Sequence, residues 1–592
     1  MKLRYSKTGP ATVGIKWKTE NAHMNIKYSL PKHLQSALDA ALADWTGNNK
    51  LARLWAKDAS LWTNEDESKW LGWLDIVERQ QKQLADYAAL AADVKQAGFT
   101  HALLLGMGGS SLCPEVLAVT FGHQQGSPSL HILDSTDPAQ VLAVEKAVEL
   151  KTTVVIVASK SGSTLEPNIL KQYFFDAMEK AVGKGKAGSH FIAITDPGSK
   201  MEEVAKADGF RHIFYGDATI GGRFSALSNF GLVPAAVMGM DVKRWLGEAQ
   251  RSVNEAKNAD LKTNAAAVLG LILGTAHDAG QDKITYFTSP EIYDLGAWLE
   301  QLIAESTGKL GKGITPVDRE AIGAPEVYGK DRIFAYIRLT GGDNAVLDAK
   351  VKALEDAGQP VVRFEIADRY ELSAEFFTWE FATAIAGSVM KINTFNQPDV
   401  EAAKIATRAL TSEYEKTGKL AELTPLLDAD GIKLFADARY SAVLTAAAKE
   451  KTLAGIVRAH LDQIHAGDYF AALGFINMTE AHEAAIQEFR HKVRDAKKVA
   501  TCLGFGPRFL HSTGQDYKGG PNTGVFLQIT ADHAHDVAIP GAKYTFGIVI
   551  AAQAAGDLTV LQERNRRALH VHLGADVAAG LETLKKAVAA AL

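Results

Sequence analysis

The stretch "VVIVASKSGSTLEPN", residues 154–168, runs from a short apolar segment directly into several hydroxyl side chains and one lysine. The apolar part is typical of a strand that is buried on both faces of a parallel sheet. In such a sheet ligands bind beyond the carboxyl ends of the strands, where a following helix offers unpaired N–H groups and a positive dipole to an anion. The hydroxyls therefore either cap this helix or bind a phosphate group.

A second strand end of the same kind precedes this one. The apolar run "HALLL" leads into "GMGGSS", residues 106–111. Two glycine- or serine-rich strand ends in one sheet place a phosphate site on an equal footing with simple helix capping. Neither stretch has the Gly-x4-Gly-Lys-Ser/Thr pattern of a Walker loop or the dinucleotide pattern Gly-x-Gly-x-x-Gly. A small phosphoester is therefore a better candidate ligand than a nucleotide.

The wider chain alternates short apolar runs with helical segments, which is typical of α/β units with parallel sheets. Length alone suggests three or four domains. We predict that five segments follow one another along the chain. These are a helical region with tryptophans on its core face (1–95), a phosphate-binding α/β domain (96–245), a second α/β domain (246–425), a helical connector (426–497) and a C-terminal α/β domain (498–592).

Composition narrows the class of protein. The net charge of the 592 residues is −5, without a long run of one sign, so neither a nucleic-acid nor a membrane surface is expected. No apolar run reaches the roughly 18 residues of a membrane helix, and the first residues lack a signal-peptide core. Cys113 and Cys502 lie far apart without metal-ligand spacing, and "DHAHD" (532–536) is better explained as a polar loop. We expect a reduced, cytoplasmic protein without a metal site.

Five motifs resemble, in order, those of phosphoglucose isomerase, a family built from sugar-isomerase (SIS) domains. They are "GMGGSSLCPE", "SKSGSTLEPN", "IGGRFSALS", "AESTGK" and "NTFNQPDVEAAK". The helical lead-in and long C-terminus are most similar to the isomerase half of bifunctional transaldolase/phosphoglucose isomerases. The resemblance implies three-layer, flavodoxin-like SIS domains, with the C-terminal α/β domain as an additional SIS-like unit, and a sugar phosphate as the ligand.

The resemblance also implies roles for individual residues. Glu305 in "AESTGK" would be the catalytic base, with Arg223 against the reacting carbons and Gln397 and Lys404 reaching the sugar ring. The remaining set would bind substrate, mainly through its phosphate: Gly109, Ser110, Ser159, Lys160, Ser161, Thr164, Gly222 and Gln301.

The residue types suit the chemistry of aldose–ketose isomerisation. One carboxylate such as Glu305 can move a proton between C1 and C2 through a cis-enediol, and needs no metal or redox cofactor to do so. Arg223 is permanently charged and could stabilise the enediolate. Gln397 and Lys404 are seven residues apart, so a helix starting near Pro398 would present both to one cleft. Without the motif context, each of these is more often a solvated or structural residue.

The family's histidine is missing from its usual place after the base, where "AIGAPEVYGKD" (321–331) stands. "FLHSTGQDYKGG" (509–520) resembles the family's histidine motif and places His511 at the histidine. In the family this residue comes from the neighbouring subunit of a dimer. We interpret residues 498–592 as a diverged second copy of part of the second SIS domain. The protein would then be a monomer with an internal pseudo-dimer, or a homodimer.

The sequence therefore predicts reversible isomerisation of glucose 6-phosphate and fructose 6-phosphate. A dual isomerase that also accepts mannose 6-phosphate remains an alternative. So does a regulator that only binds a phosphosugar through SIS domains. A regulator would need the phosphate loop but not Glu305, Arg223 and Lys404 together, and their joint presence favours an enzyme.

Overall fold

The computed structural model describes residues 26–421 and 423–592. The beginning of the predicted helical region, residues 1–25, lies outside this part of the chain. The rest is helical apart from one strand, and Trp45, Trp62 and Trp73 are buried as a core face, as predicted. The elements are β1 (Ile26–Ser29), α1 (Lys32–Gly47), α2 (Lys50–Trp55), α3 (Ile76–Gln81) and α4 (Leu84–Gln96).

The first sheet confirms the predicted parallel α/β unit. Its strands are β2 (His101–Leu105), β3 (Ser129–Leu133), β4 (Thr153–Ala158), β5 (Phe191–Thr195) and β6 (His212–Tyr215). All are parallel, in the order β3-β2-β4-β5-β6, and every residue of β4 is buried. The order reverses between β2 and β4, which is where open α/β sheets bind ligands. Both predicted phosphate loops follow these two strands.

Helices cover the first sheet and connect its strands. They are α5 (Leu112–Phe121), α6 (Pro138–Ala147), α7 (Leu165–Val182), α8 (Lys200–Ala207), α9 (Asn229–Val237) and α10 (Val242–Ala256). Helix α7 starts directly after the serine-rich loop, and α5 follows the glycine-rich loop. Each loop therefore meets a helix N-terminus, where backbone N–H groups are free to bind an anion.

The second sheet has the order β1-β10-β9-β7-β8, with β1 as an antiparallel edge strand. The lead-in region thus contributes a strand as well as helices. Its other elements are α11 (Ala265–Asp278), β7 (Lys283–Thr288), α12 (Leu295–Thr307), β8 (Thr315–Val317), β9 (Arg332–Leu339), α13 (Ala345–Asp356), β10 (Val361–Ile366), α14 (Leu372–Met390) and α15 (Pro398–Thr417).

The third sheet begins earlier than predicted, so the interpretation of 426–497 as a helical connector was wrong. This segment holds β11 (Leu427–Ala429), β12 (Ile432–Phe435) and β13 (Tyr469–Phe475) between its helices. Strand β13 lies inside the sheet and is buried along its whole length. It therefore lacks the alternation that marks a strand, and a short continuous apolar run is also compatible with a helix.

The remaining elements of this unit complete the sheet, in the order β11-β12-β16-β15-β13-β14. They are α16 (Ala438–Ala447), α17 (Leu453–Leu461), α18 (Glu480–Lys497), β14 (Ala500–Phe505), α19 (Gly514–Gly519), β15 (Gly524–Thr530), α20 (Phe546–Glu563), β16 (Arg567–His572) and α21 (Val577–Ala591). The domain boundaries proposed from the sequence otherwise stay predictions.

The third unit packs against the other two. Helix α20 lies along α15 of the second unit. Val537 and Phe546 join the apolar core on one face of the first sheet. This packing brings the turn between β14 and α19, which carries His511, towards the first sheet. None of the helices of the described residues combines the length and apolarity needed to cross a membrane.

Candidate active site

A cavity of about 400 Å³ opens at the carboxyl ends of β2 and β4. All three units contribute to its walls. Twelve of the thirteen residues predicted from the sequence line it: Gly109, Ser110, Ser159, Lys160, Ser161, Thr164, Gly222, Gln301, Glu305, Gln397, Lys404 and His511. The thirteenth, Arg223, lies against Glu305. The motifs are thus brought together in one place.

Two glycines allow the loops of this cavity to approach each other. Gly108 has a φ of +53°, and a Cβ there would lie 2.8 Å from both Gln301 Nε2 and the His511 carbonyl oxygen. A Cβ on Gly109 would lie only 1.9 Å from the carbonyl oxygen of Gly222. Real Cβ atoms do not tolerate such distances, so only glycine fits at either position. The glycine-rich loop is therefore packed directly against three other walls of the site.

The serine-rich loop presents hydroxyls to the cavity at the start of α7. Ser159 is 2% exposed, and its Oγ has no hydrogen-bond partner within the residues described. Ser161 Oγ bonds the Ser163 hydroxyl, at 2.8 Å, and accepts from the Ser163 backbone N–H, at 3.3 Å. Thr164 occupies the N-cap position of α7 without a side-chain capping bond. A buried hydroxyl without a partner is costly, so Ser159 is well suited to a ligand's oxygen.

Lys160 differs from the other residues of the loop. Its Nζ forms an ion pair with Asp196 and donates to the carbonyl oxygen of Asp217 at 3.0 Å. Burial raises the pKa of Asp196, and the nearby ammonium group opposes this shift. The charge of Lys160 thus already has a carboxylate partner. Its predicted contribution to phosphate binding consequently has less support from the geometry than that of the hydroxyls.

Glu305 lies near the C-terminal end of α12, facing the cavity. It is 7% exposed, and one turn earlier Gln301 donates from Nε2 to Glu305 Oε2 at 3.0 Å. The same amide donates to the carbonyl oxygen of His511 at 2.9 Å. Arg223 Nη1 stands 3.6 Å from Glu305 Oε1. The largely buried carboxylate is therefore held by an amide and faced by a fixed cation.

Arg223 is buried and is fixed by neutral groups. Its Nε donates to Ser306 Oγ at 2.7 Å, Nη1 to Gln397 Oε1 at 3.1 Å, and Nη2 to the carbonyl oxygen of Asn396 at 3.1 Å. Burial lowers its pKa, and Glu305 opposes that shift. Such a preorganised cation can stabilise a developing oxyanion without reorganisation.

Helix α15 begins at Pro398, as predicted from the motif. Gln397 is its N-cap residue, and Lys404 lies two turns further on; both line the cavity. Lys404 is partly exposed, and its nearest carboxylate is that of Glu401, at 3.8 Å. Its ammonium group is therefore not engaged by a close ion pair.

His511 belongs to a short turn of the third unit. Its Nε2 lies 3.0 Å from Glu166 Oε1 in the first turn of α7. Gln553 of α20 donates to the same oxygen at 2.7 Å and accepts from Thr136 Oγ1 at 2.6 Å. Burial would raise the pKa of Glu166, but His511, a backbone hydrogen bond and the charge of Lys404 together outweigh it, so the net shift is downward. A carboxylate bound to one ring nitrogen fixes the orientation and tautomer of a histidine.

Sequence reasoning missed Glu166 and Gln553. Glu166 stands inside the quoted motif "SKSGSTLEPN", in the first turn of a helix, where an acidic residue is ordinary because it suits the helix dipole. Gln553 is a single polar residue in a largely apolar helix, which is a weak signal of a buried polar partner. Both become meaningful only when the third unit is placed against the first.

Arg508 anchors the turn that carries His511. Its guanidinium makes two bonds to Glu115, of 2.7 and 2.8 Å, and one of 2.9 Å to Asp134. Burial raises the pKa of Glu115 to about 7, although Arg508 opposes the shift. The turn of the third unit is thus fastened to α5 and to the end of β3. Among the described residues, no group of three or more His, Cys, Asp or Glu side chains is arranged to hold a metal ion.

Comparisons with known proteins place this chain among sugar-phosphate isomerases. The family model described as phosphoglucose isomerase matches residues 77–329. A glucose-6-phosphate isomerase of Rubrobacter xylanophilus is 30% identical over 383 residues, which cover 56% of this chain and 87% of that protein. One of Clostridioides difficile is 26% identical over 396 residues, or 58% of this chain and 88% of that protein.

Among solved structures, a hypothetical protein of Thermus thermophilus matches with a TM-score of 0.57 and 24% identity, covering 65% of this chain and 99% of that one. This likeness supports the fold alone. The Rubrobacter match, by contrast, has 30% identity and spans most of a named relative. On that ground this chain belongs to the phosphoglucose isomerase family.

Proposed function

We propose that this chain interconverts glucose 6-phosphate and fructose 6-phosphate through ring opening and a cis-enediol intermediate, with Glu305 as the base. The observation that carries the proposal is the pairing of Glu305 with buried Arg223 in a cavity that also holds open hydroxyls at a helix N-terminus. A binding protein would need only the hydroxyls. Proton transfer at a carbon next to a carbonyl needs a base and a cation that stabilises the enediolate. Glu305 and Arg223 can supply the two.

The phosphate end of the substrate is assigned to the serine-rich loop. Ser159 and Thr164 offer hydroxyls at the N-terminus of α7, whose dipole favours a dianion. The backbone at Gly109 and the hydroxyl of Ser110 face the same space. Bonds to a charged phosphate contribute roughly 1.5–3 kcal/mol each, so a few of them anchor the sugar firmly. With this end fixed, the reacting carbons extend towards Glu305.

Ring opening is assigned to His511. Opening a pyranose requires a proton to leave the hydroxyl on C1 and another to reach the ring oxygen. An imidazole whose Nε2 is held by Glu166 can take up the first proton and deliver one to the ring oxygen through its other nitrogen. Lys404 lines the same wall and can stabilise negative charge on the ring oxygen.

Isomerisation then needs one proton to move between two carbons. Glu305 takes the proton from C2 of the open-chain aldose and returns it to C1, while a proton moves from the hydroxyl on C2 to the oxygen on C1. The electron pair left by the first step is shared over the enediolate oxygens. Arg223, with Gln397 bound to it, lies beside the base and stabilises that charge.

The chain supplies the histidine and the base of one cavity by itself, which supports a site complete within each chain, in a monomer with an internal pseudo-dimer or in a homodimer with two complete sites. A reducing, cytoplasmic location is supported by two buried cysteines, neither in a disulfide.

A coupled assay tests the proposal directly. Fructose 6-phosphate is supplied, and any glucose 6-phosphate formed is oxidised by its NADP-linked dehydrogenase. The wild type should turn over, and Glu305→Gln should lower kcat by at least about 10²-fold, the scale of general-base catalysis. Binding of sugar phosphates should change little, because the hydroxyl loop is untouched. Glu203→Gln, at an exposed position of α8, is the matched control and should keep wild-type activity.

Two outcomes would contradict the assignment. Near-wild-type kcat in Glu305→Gln would remove Glu305 from the mechanism. No turnover by the wild type, together with tight binding of sugar phosphates, would favour a phosphosugar-binding protein over an isomerase.

A further inference from the structure

A second, larger cavity lies behind the loop that carries Gln397. Its volume is about 720 Å³, within the range of small-molecule sites. Asn396 and Pro398, on either side of Gln397, line it, whereas Gln397 itself lines the active-site cavity. The two cavities thus share a wall but, within the described ranges, no lining residue. Residues of the second and third units meet in the new cavity.

Two buried cations form part of its floor. Arg566, which precedes β16, is 5% exposed and Lys309, which follows α12, is 3% exposed. The Nη2 of Arg566 donates to backbone carbonyls of Lys518 and Gly520, while its Nε has no partner in the described part of the chain. Lys309 donates to the carbonyl oxygen of Asn393, at 2.7 Å. Neither cation forms an ion pair with a carboxylate of the described residues.

Burying a cation without a carboxylate partner is unfavourable, and the pKa of each of these two groups is lowered for this reason. Burial lowers the pKa of Lys309 well below its usual value, with Arg223 adding to the effect. Burial likewise lowers the pKa of Arg566. Since desolvated charges are normally paired, an anion that entered the cavity would restore the missing partner.

The acidic residues of the cavity do not fill this role. Asp399 is engaged by Arg564 and by the side-chain amide of Gln515. Glu65 and Glu563 are exposed and stand at the rim. Lys518, a third cation of the floor, is already paired with Asp557, which does not line the cavity. The uncompensated charge of the floor is therefore positive, and the rim is negative.

The wall next to the cations carries amide groups. Asn393 and Asn396 line the cavity, and Asn396 Oδ1 is buried without a hydrogen-bond donor among the residues described. An open amide oxygen accepts from a hydroxyl group, whereas a planar guanidinium and an ammonium suit phosphate oxygens. The amide and the cations lie side by side, so the cavity fits a ligand that carries both a hydroxyl and a phosphate group.

We propose that this cavity is a second ligand site, which binds a small phosphate ester of a polyol or sugar. The phosphate contacts Arg566 and Lys309, and a hydroxyl donates to Asn396. The site is separate from the active site, but the two are in contact, because the carbonyl oxygen of Asn396 also accepts from Arg223. A ligand bound in this cavity therefore restrains the segment around Asn396, which contacts Arg223 and carries Gln397.

The test is a calorimetric titration with sn-glycerol 3-phosphate at constant ionic strength. The wild type should bind two molecules per chain. Ser159→Ala with Thr164→Ala should weaken one site and leave the second unchanged. Lys309→Met should weaken only the second, by at least about 10-fold, because it removes a charge-assisted bond.

Two further variants avoid buried cations and keep the test independent of folding defects. Asn396→Asp places a negative charge beside the floor and should weaken the second site at least about 10-fold. Glu563→Gln removes a rim carboxylate and should tighten it. Inorganic phosphate should bind the second site more weakly than the ester, since it lacks the polyol hydroxyls.

The proposal is overturned if the wild type binds a single molecule, or if these variants leave the second site unchanged. Equal affinity for inorganic phosphate and glycerol 3-phosphate would refute the assigned contact with Asn396. Binding is measured without turnover, so the result does not depend on whether the chain is an active isomerase.

Discussion

The most informative experiment combines one chain that lacks Glu305 with another chain that lacks His511. In this protein both residues line one cavity of a single chain, and Gln301 bonds to both, at 3.0 Å to Glu305 Oε2 and 2.9 Å to the His511 carbonyl. We therefore expect each chain to contain a complete site. The variants Glu305→Gln and His511→Ala should each be defective, and mixing them should restore nothing.

The expected magnitudes differ widely between the two arrangements. If each site combined Glu305 of one subunit with the histidine of another, a mixed dimer would hold one intact site and one doubly defective site. About half of wild-type activity would then return in purified mixed dimers, as the arithmetic of a two-fold dimer requires. A site complete within one chain instead gives the mean of two defective enzymes, at most about 1% if each has lost 10²-fold.

The assay is co-expression of the two variants with different affinity tags, followed by purification through both tags, which keeps only mixed dimers, and the coupled isomerase assay. Each variant expressed with itself is the control. If the protein is a monomer, no chain carries both tags and nothing is retained in the second purification step. The two variants, each purified by its own tag, are then mixed and assayed together. Recovery of activity near a half in the mixed dimers would refute the reasoning, because it would show that His511 acts on a neighbouring chain.

Three other outcomes are expected. Replacing both Ser159 and Thr164 by alanine should weaken all 6-phosphorylated ligands together, by roughly 1.5–3 kcal/mol for each lost bond; a change only in the choice between sugars, measured by inhibitor titration, would place these hydroxyls at the ring. Arg508→Met leaves buried Asp134 and partly buried Glu115 without their cation and should lower the free energy of unfolding in urea by about 3 kcal/mol; an unchanged midpoint would mean that these ion pairs do not fasten the turn. Burial raises the pKa of Glu380 well above its usual value, so the folded protein retains a proton that the unfolded chain releases above its ordinary pKa. The wild type should therefore lose stability relative to Glu380→Gln as pH rises from about 5 to about 8, by up to about 1.4 kcal/mol per pH unit; parallel pH profiles of the two proteins would contradict this.

Local patterns in the sequence were sufficient for the first sheet and for much of the site. The buried run of β4 and the loop after it lie within one short stretch, residues 153–164, and the turn preferences of glycine and serine are local. The start of α15 at Pro398 follows from the fixed φ of proline at a first helical position.

Features that depend on contacts between distant segments could not be predicted. Lys160 has no acidic residue directly beside it in the sequence, and its partner Asp196 follows the next strand of the sheet. Strand β13 has no alternating pattern because both of its faces are buried. Gln553 meets Glu166 only after the chain folds back across 387 positions. Pairing of this kind is decided by tertiary packing, for which periodicity carries no information.

The close approach of Gly109 to Gly222 has a consequence for substrate length. The loop at one end of the cavity and the loop that leads to Arg223 are in backbone contact, so neither can move away without the other. The contact therefore fixes the distance between the glycine-rich loop, where Ser110 faces the cavity, and the loop that carries Arg223. We expect an aldose phosphate with one carbon fewer to be misplaced at one of these ends, and a misplacement of about 1 Å costs on the order of 10²-fold in rate. Slow turnover of pentose phosphates is therefore expected, although they carry the same phosphate and the same hydroxyl chemistry.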